Sequence, residues 1–112
     1  MSPQDLKVGA AYYRITYADP KLTIPGVEPM IFIGVNVFES DAESPDPMYT
    51  FQDTVSFSRF GSAVDYKGPV NLSAEGAHTY SFTAAQVGEL ADLAGAAEAL
   101  NDAVERAHWK ER

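Results

Sequence analysis

Few residues of this chain combine type and spacing in a way that could do chemistry, and Asp53 is the sharpest of them. Tyr49, Phe51, Asp53, Val55 and Phe57 alternate with Thr50, Gln52, Thr54, Ser56 and Ser58. A strand here sets a carboxylate on an aromatic face. An unpaired buried carboxylate is costly. Desolvation would raise its pKa and suit it to acid–base work or to orienting a ligand. Such a pocket would draw on Phe32, Asn36 and Phe51 beside Asp53. The structural alternative is a bend or bulge at Gln52-Asp53 that turns the side chain outward, or a hydrogen bond from a tyrosine, Arg14 or His78.

The second feature is charge. The 112 residues hold 16 Asp+Glu against 8 Lys+Arg, a formal net charge of -8. Between Lys21 and Arg59 there is no base, while Glu28, Glu39, Asp41, Glu43, Asp46 and Asp53 fall in that stretch; Arg106, Lys110 and Arg112 gather at the other end. Glu39, Asp41, Glu43 and Asp46 therefore form a candidate docking surface for a basic partner, since complementary fields speed and orient association. The bland counterpart is a solvated loop that keeps a small protein soluble. Clustered carboxylates also attract calcium, but the EF-hand spacing is missing.

Several classes drop out. With no cysteine there is no disulfide, no thiolate metal site and no catalytic thiol. His78 and His108 are too few for an ordinary zinc site, and no metal or cofactor is expected. Neither a nucleophile elbow nor a glycine-rich phosphate loop occurs. The excess of acids opposes nucleic-acid binding, because the three clustered bases suit a helix C-terminus without any ligand. No basic start precedes an apolar run, and Met30 to Phe38 falls well short of a membrane span. The expectation is a soluble cytoplasmic protein with no membrane and no nucleic-acid partner.

The elements that must position these residues follow from periodicity. Ala10 to Ala18 alternates as a strand, with Tyr13, Ile15 and Tyr17 expected on the core face. Asp19-Pro20 ends it, and the proline-rich stretch to Pro29 reads as a constrained loop with a turn at Pro25-Gly26. Met30 to Phe38 is apolar on both faces, as a central strand is, and Gly34 within it marks a bulge or a close backbone approach. A strand at 49–58, bending near Asp53, a weak hairpin within 61–76 and a last strand Ala77 to Phe82 follow. Thr83 and Gln86 then form a capping box, with Phe82 and Val87 as a hydrophobic staple. Leu90, Leu93, Ala97, Leu100, Val104 and Ala107 continue as one stripe to about Trp109.

That helix is too long for its domain. Twenty-six residues would span ~39 Å against a diameter of ~34 Å. It must break, with Gly95 the expected place, or project and pack on another chain. Nine alanines between Ala84 and Ala107 would let a second helix approach closely.

The expected architecture is a single α+β domain over 1–112. Its β-rich part, about 8–82, is a curved antiparallel sheet or partial SH3-like β-barrel of four to five strands. Its helical part, about 84–109, is a C-terminal helix or helical pair. The leading functional expectation is a non-enzymatic protein-interaction module, with homodimerisation through helix 84–109. The alternatives are a small-ligand-binding or enzymatic domain around Asp53, and an acidic inhibitor or immunity-type protein that blocks a basic active site.

Overall fold

The computed structural model of the protein describes residues 1–72 and 75–107. The expected helix end at Trp109, and His108, Lys110 and Arg112, lie outside the described residues. The chain is α+β. Strands β1 (Ala11–Tyr17), β2 (Pro25–Val35), β3 (Tyr49–Asp53) and β4 (Thr79–Phe82) form an open antiparallel sheet in the order β1-β2-β3-β4. Helices α1 (Thr54–Phe60), α2 (Ala84–Val87) and α3 (Leu93–Ala107) complete the described fold.

β2 begins at Pro25 rather than at Met30 and ends at Val35, so the proline-rich loop expected up to Pro29 is partly strand. The prolines fit because of where they fall. Pro29 lies opposite Tyr13 and Pro25 opposite Tyr17, at positions whose main-chain groups point away from β1. β3 has already left β2's other side there, since the β2–β3 pairing starts at Met30. No ladder donor is lost. The β1–β2 ribbon thus runs on beyond the other strands, and the radius of gyration is 16.0 Å where a compact chain of this length has ~13 Å.

Gly34 sits at a register shift: Phe32 pairs with Phe51 and Gly34 with Thr50, leaving Ile33 as the extra residue. The bulge needs glycine. Its φ is +149°, and a Cβ there would meet Val37 Cγ1 at 2.7 Å. Ile33, on the same face as Ile31, packs into a small second core with Ala63 and Ala77, flanked by Ile31, Phe57, Tyr66 and Val70.

The main core lies on the opposite face, where Tyr12, Met30, Phe32 and Phe51 meet Val87 and Leu90. Phe51 is wholly buried and touches the rings of Phe32 at 5.2 Å, Phe82 at 5.5 Å and Tyr12 at 6.2 Å. This reverses the facing expected for β1. Tyr12 is the buried residue, while Tyr13, Ile15 and Tyr17 are only half-buried. The inversion is possible because Tyr12 is amphipathic: its hydroxyl accepts from Lys7 N at 2.8 Å and donates to the Asp5 carbonyl at 3.3 Å while its ring fills the core.

The strand expected over 49–58 stops at Asp53, and Thr54 to Phe60 is helical. In place of a hairpin, the described part of 61–76 holds turns and one isolated bridge, Val70 with Ala77. The capping box at Thr83 forms, with Thr83 N donating to Gln86 Oε1 at 2.8 Å and Gln86 N to Thr83 Oγ1 at 3.3 Å. The helix it starts lasts only four residues. The chain straightens at Leu90-Ala91 to pair with Tyr13, and Asp92 caps α3 by accepting from Gly95 N at 2.8 Å. The long helix therefore breaks at 88–92 and not at Gly95.

Candidate functional site

Asp53, Phe32, Phe51 and Asn36 do not line one cavity. Asp53 is at the alternate position to Phe51 but stands at the strand's end as the N-cap of α1, accepting from Ser56 N at 3.0 Å and from the Ser56 hydroxyl. Burial acts to raise its pKa, yet the Ser56 side-chain and backbone hydrogen bonds and the nearby His78 outweigh it and hold the carboxyl below its usual value. A proton acceptor of that kind is weak at neutral pH. Phe32 and Phe51 are core. Asn36 lies at the far end of β2 with φ +52°; its N–H donates to the Met48 carbonyl at 2.8 Å and its Oδ1 accepts from Met48 N at 2.9 Å. It clamps the base of the acidic loop.

Within that loop, Glu39–Glu43 forms a 3-10 turn. Asp41 is buried against it and accepts from Phe38 N at 3.1 Å, so it is a turn cap. Glu39, Glu43 and Asp46 remain exposed. Among the described residues no cluster of three or more His, Cys, Asp or Glu could hold a metal ion. No helix among them is long and apolar enough to cross a membrane.

Two surfaces stand out instead. The first is a groove where β1 and β4 meet α2. Arg14 and Glu28 are cross-strand partners and form an ion pair. The guanidinium lies over the rings of Tyr80 at 5.4 Å and Phe82 at 6.0 Å. β1 and β4 would be ~14 Å apart in a flat sheet of this order, so the contact requires long side chains on a curved sheet. Burial, aided by the charges of Glu28 and Asp53 and opposed by Arg14, pushes the Tyr80 hydroxyl above its ordinary pKa. The adjoining cavity of about 260 Å³ is lined by Arg14, Ile15, Thr16, Phe82, Gln86, Glu89 and Leu90. It offers apolar walls and paired charges. Near this groove, Asp53 is held below its ordinary pKa and Tyr80 above it.

The second surface is α3. Ala96 and Ala103 are its buried residues, and Arg106 anchors its last turn by donating to the Leu22 carbonyl at 2.8 Å and lying over Tyr17 at 5.6 Å. The apolar stripe is turned aside from the sheet: Leu93 is 67% exposed, Leu100 43% and Val104 41%. Small alanines let the helix approach its sheet, and the larger apolar residues fall on the neighbouring flank.

Gln52 had no signal in the sequence beyond its place in an alternating run. It is fully buried, donating to Ser56 Oγ at 3.1 Å and to the Gly61 carbonyl at 3.1 Å and accepting from Ala63 N at 2.8 Å. Compared with known proteins, the chain matches no family model, no curated protein and no solved structure.

Proposed function

We propose that the protein is a non-enzymatic, cytoplasmic protein-interaction module that self-associates through α3. The observation that carries this reading is the exposed stripe Leu93, Ala97, Leu100 and Val104 on a helix whose other apolar flank is already packed. An apolar arc wider than its own domain covers is the usual mark of a second contact.

A second copy of the chain fits the stripe. Residues 93, 97, 100 and 104 are spaced symmetrically about a point between Glu98 and Ala99, so an antiparallel pair sets Leu93 against the partner's Val104 and Ala97 against the partner's Leu100. A charge flanking the seam is repeated on the partner, so it weakens the pair. The solvent-side flank nearest the stripe is Ala94 and Asn101, and Glu105, Glu98 and Asp102 follow in that order farther round the helix. A 15-residue helix is about 22 Å long. A seam of that length buries far less than the ~800 Å² per partner of a standard interface, so the dimer is weak and concentration-dependent.

Sedimentation velocity from micromolar to millimolar concentration tests this. The sedimentation coefficient should rise with concentration for the natural chain and stay at the monomer value for Leu100→Glu, an exposed substitution that leaves the core alone. A natural chain that stays monomeric throughout, or a Leu100→Glu variant that still associates, would contradict it.

A further inference from the structure

We propose that the open edge of β1 at Ile15 and Tyr17 is a docking site for an extended basic peptide, which adds to the sheet as a further antiparallel strand. This surface is distinct from the α3 stripe, and the proposal does not depend on self-association.

The register fixes which way each amide points. Tyr13 faces Pro29 and Tyr17 faces Pro25. Proline has no N–H, so these pairs cannot exchange main-chain hydrogen bonds. The main-chain groups of Tyr13, Ile15 and Tyr17 therefore point away from β2, toward the free edge. Those of Tyr13 are taken by Ala91, N–H to carbonyl at 2.8 Å and the return bond at 2.9 Å. Beyond this rung the chain leaves the edge, because Leu90 N donates to the Val87 carbonyl at 3.0 Å and curls into α2. Among the described residues, the N–H and C=O groups of Ile15 and Tyr17 have no strand beside them. The rung at Ala91 shows the geometry that this edge accepts: an antiparallel neighbour. The opposite edge of the same ribbon carries Pro25 and Pro29, which bar a strand from pairing there.

The surroundings select the partner. The cavity of about 260 Å³ opens beside Ile15 and Thr16, with Phe82 and Leu90 as apolar walls and Glu89 at its side; Arg14 also lines it, its charge already paired with Glu28. Alternate side chains of an added strand would enter it. On the other face, Glu98, Asp102 and Arg106 follow at helical i,i+4 spacing. Arg106 touches Tyr17, so the exposed acids Glu98 and Asp102 flank the same edge. Glu89, Glu98 and Asp102 make the edge attractive to lysine and arginine. They also oppose a second copy's β1, which would bring the same acids with it.

Two short synthetic peptides, one alternating Lys and Val and the other Glu and Val, test the proposal on the full chain by amide exchange and chemical-shift NMR. In the free protein Ile15 and Tyr17 should exchange fast, and Tyr12 and Arg14 slowly. The Lys-Val peptide should slow Ile15 and Tyr17 by roughly tenfold or more, and added salt should weaken it. The Glu-Val peptide should do neither. Ile15→Pro removes one donor at an edge position that tolerates proline and should abolish binding, with unchanged protection of Tyr12 and Arg14 reporting an intact sheet. Glu89→Lys, at the surface, should weaken binding with no effect on folding. Unchanged exchange at Ile15 and Tyr17 under saturating Lys-Val peptide, equal binding of both peptides, or protection of these amides that grows with protein concentration alone would each overturn the proposal; the last would assign the edge to a second copy.

Discussion

Tyr13 and Ala91 exchange both of their main-chain hydrogen bonds, at 2.8 and 2.9 Å, forming a single rung of a fifth strand on the edge of β1. The rung divides the C-terminal helical region into α2 and α3 and sets where α3 begins. Ala91→Pro deletes one of the two donors and should cost about 1–3 kcal/mol in urea unfolding, the range for a stranded partly buried carbonyl. An unchanged midpoint would show that α3 docks without the rung.

Asp53 is a structural carboxylate with a defined pH signature. Its folded pKa lies below the unfolded one, so its contribution is fully present at neutral pH, above the unfolded value, and is lost as pH falls through the folded pKa. Asp53→Ala should lose about 1–2 kcal/mol at pH 7, Asp53→Asn much less. The gap between Ala and the natural chain should close in strongly acidic solution. Equal stability of the Ala variant at pH 7 would remove the capping role.

Gln52 joins β3 to the loop after α1 by bonding both the Gly61 carbonyl and Ala63 N. Gln52→Leu keeps the volume but strands both groups, and should cost about 2–4 kcal/mol by chemical denaturation. A neutral result would mean that the loop repacks or that water replaces the amide.

The two flanks of α3 should respond oppositely to the same change. Ala103 is buried and Ala97 exposed. Ala103→Leu should destabilise the monomer by about 1–3 kcal/mol through overpacking. Ala97→Leu should leave monomer stability within about 0.5 kcal/mol. If thermal unfolding at low concentration shows the reverse order, the helix is rotated from the position described.

Local signals were legible in the sequence where one residue type dictates one geometry. The Thr83–Gln86 box, the Gly34 bulge and the carboxylate on the Phe51 face all formed as their residues require. What was not legible depended on distant partners. Residues 49–58 alternate as a strand throughout, yet Asp53, capped onto Ser56, starts a helix where the β2–β3 pairing ends at Met30. Tyr12 looked like the solvent side of β1 until the backbone of Asp5 and Lys7 supplied partners for its hydroxyl. The apolar stripe of α3 is legible in its spacing, but which flank is buried depends on which approaches the sheet most closely, and Ala96 and Ala103 do. The Arg14 groove joins residues of β1, β2 and β4 that no short motif could connect.

The claim that α3 is an interface between two copies is tested most directly by isotope-filtered NMR on a mixture of labelled and unlabelled protein at millimolar concentration. Contacts between the methyl groups of Leu93 in one copy and Val104 in the other are the predicted result. A mixture in which every contact of Leu93, Leu100 and Val104 is intramolecular, at a concentration where the natural chain sediments as more than a monomer, would contradict it.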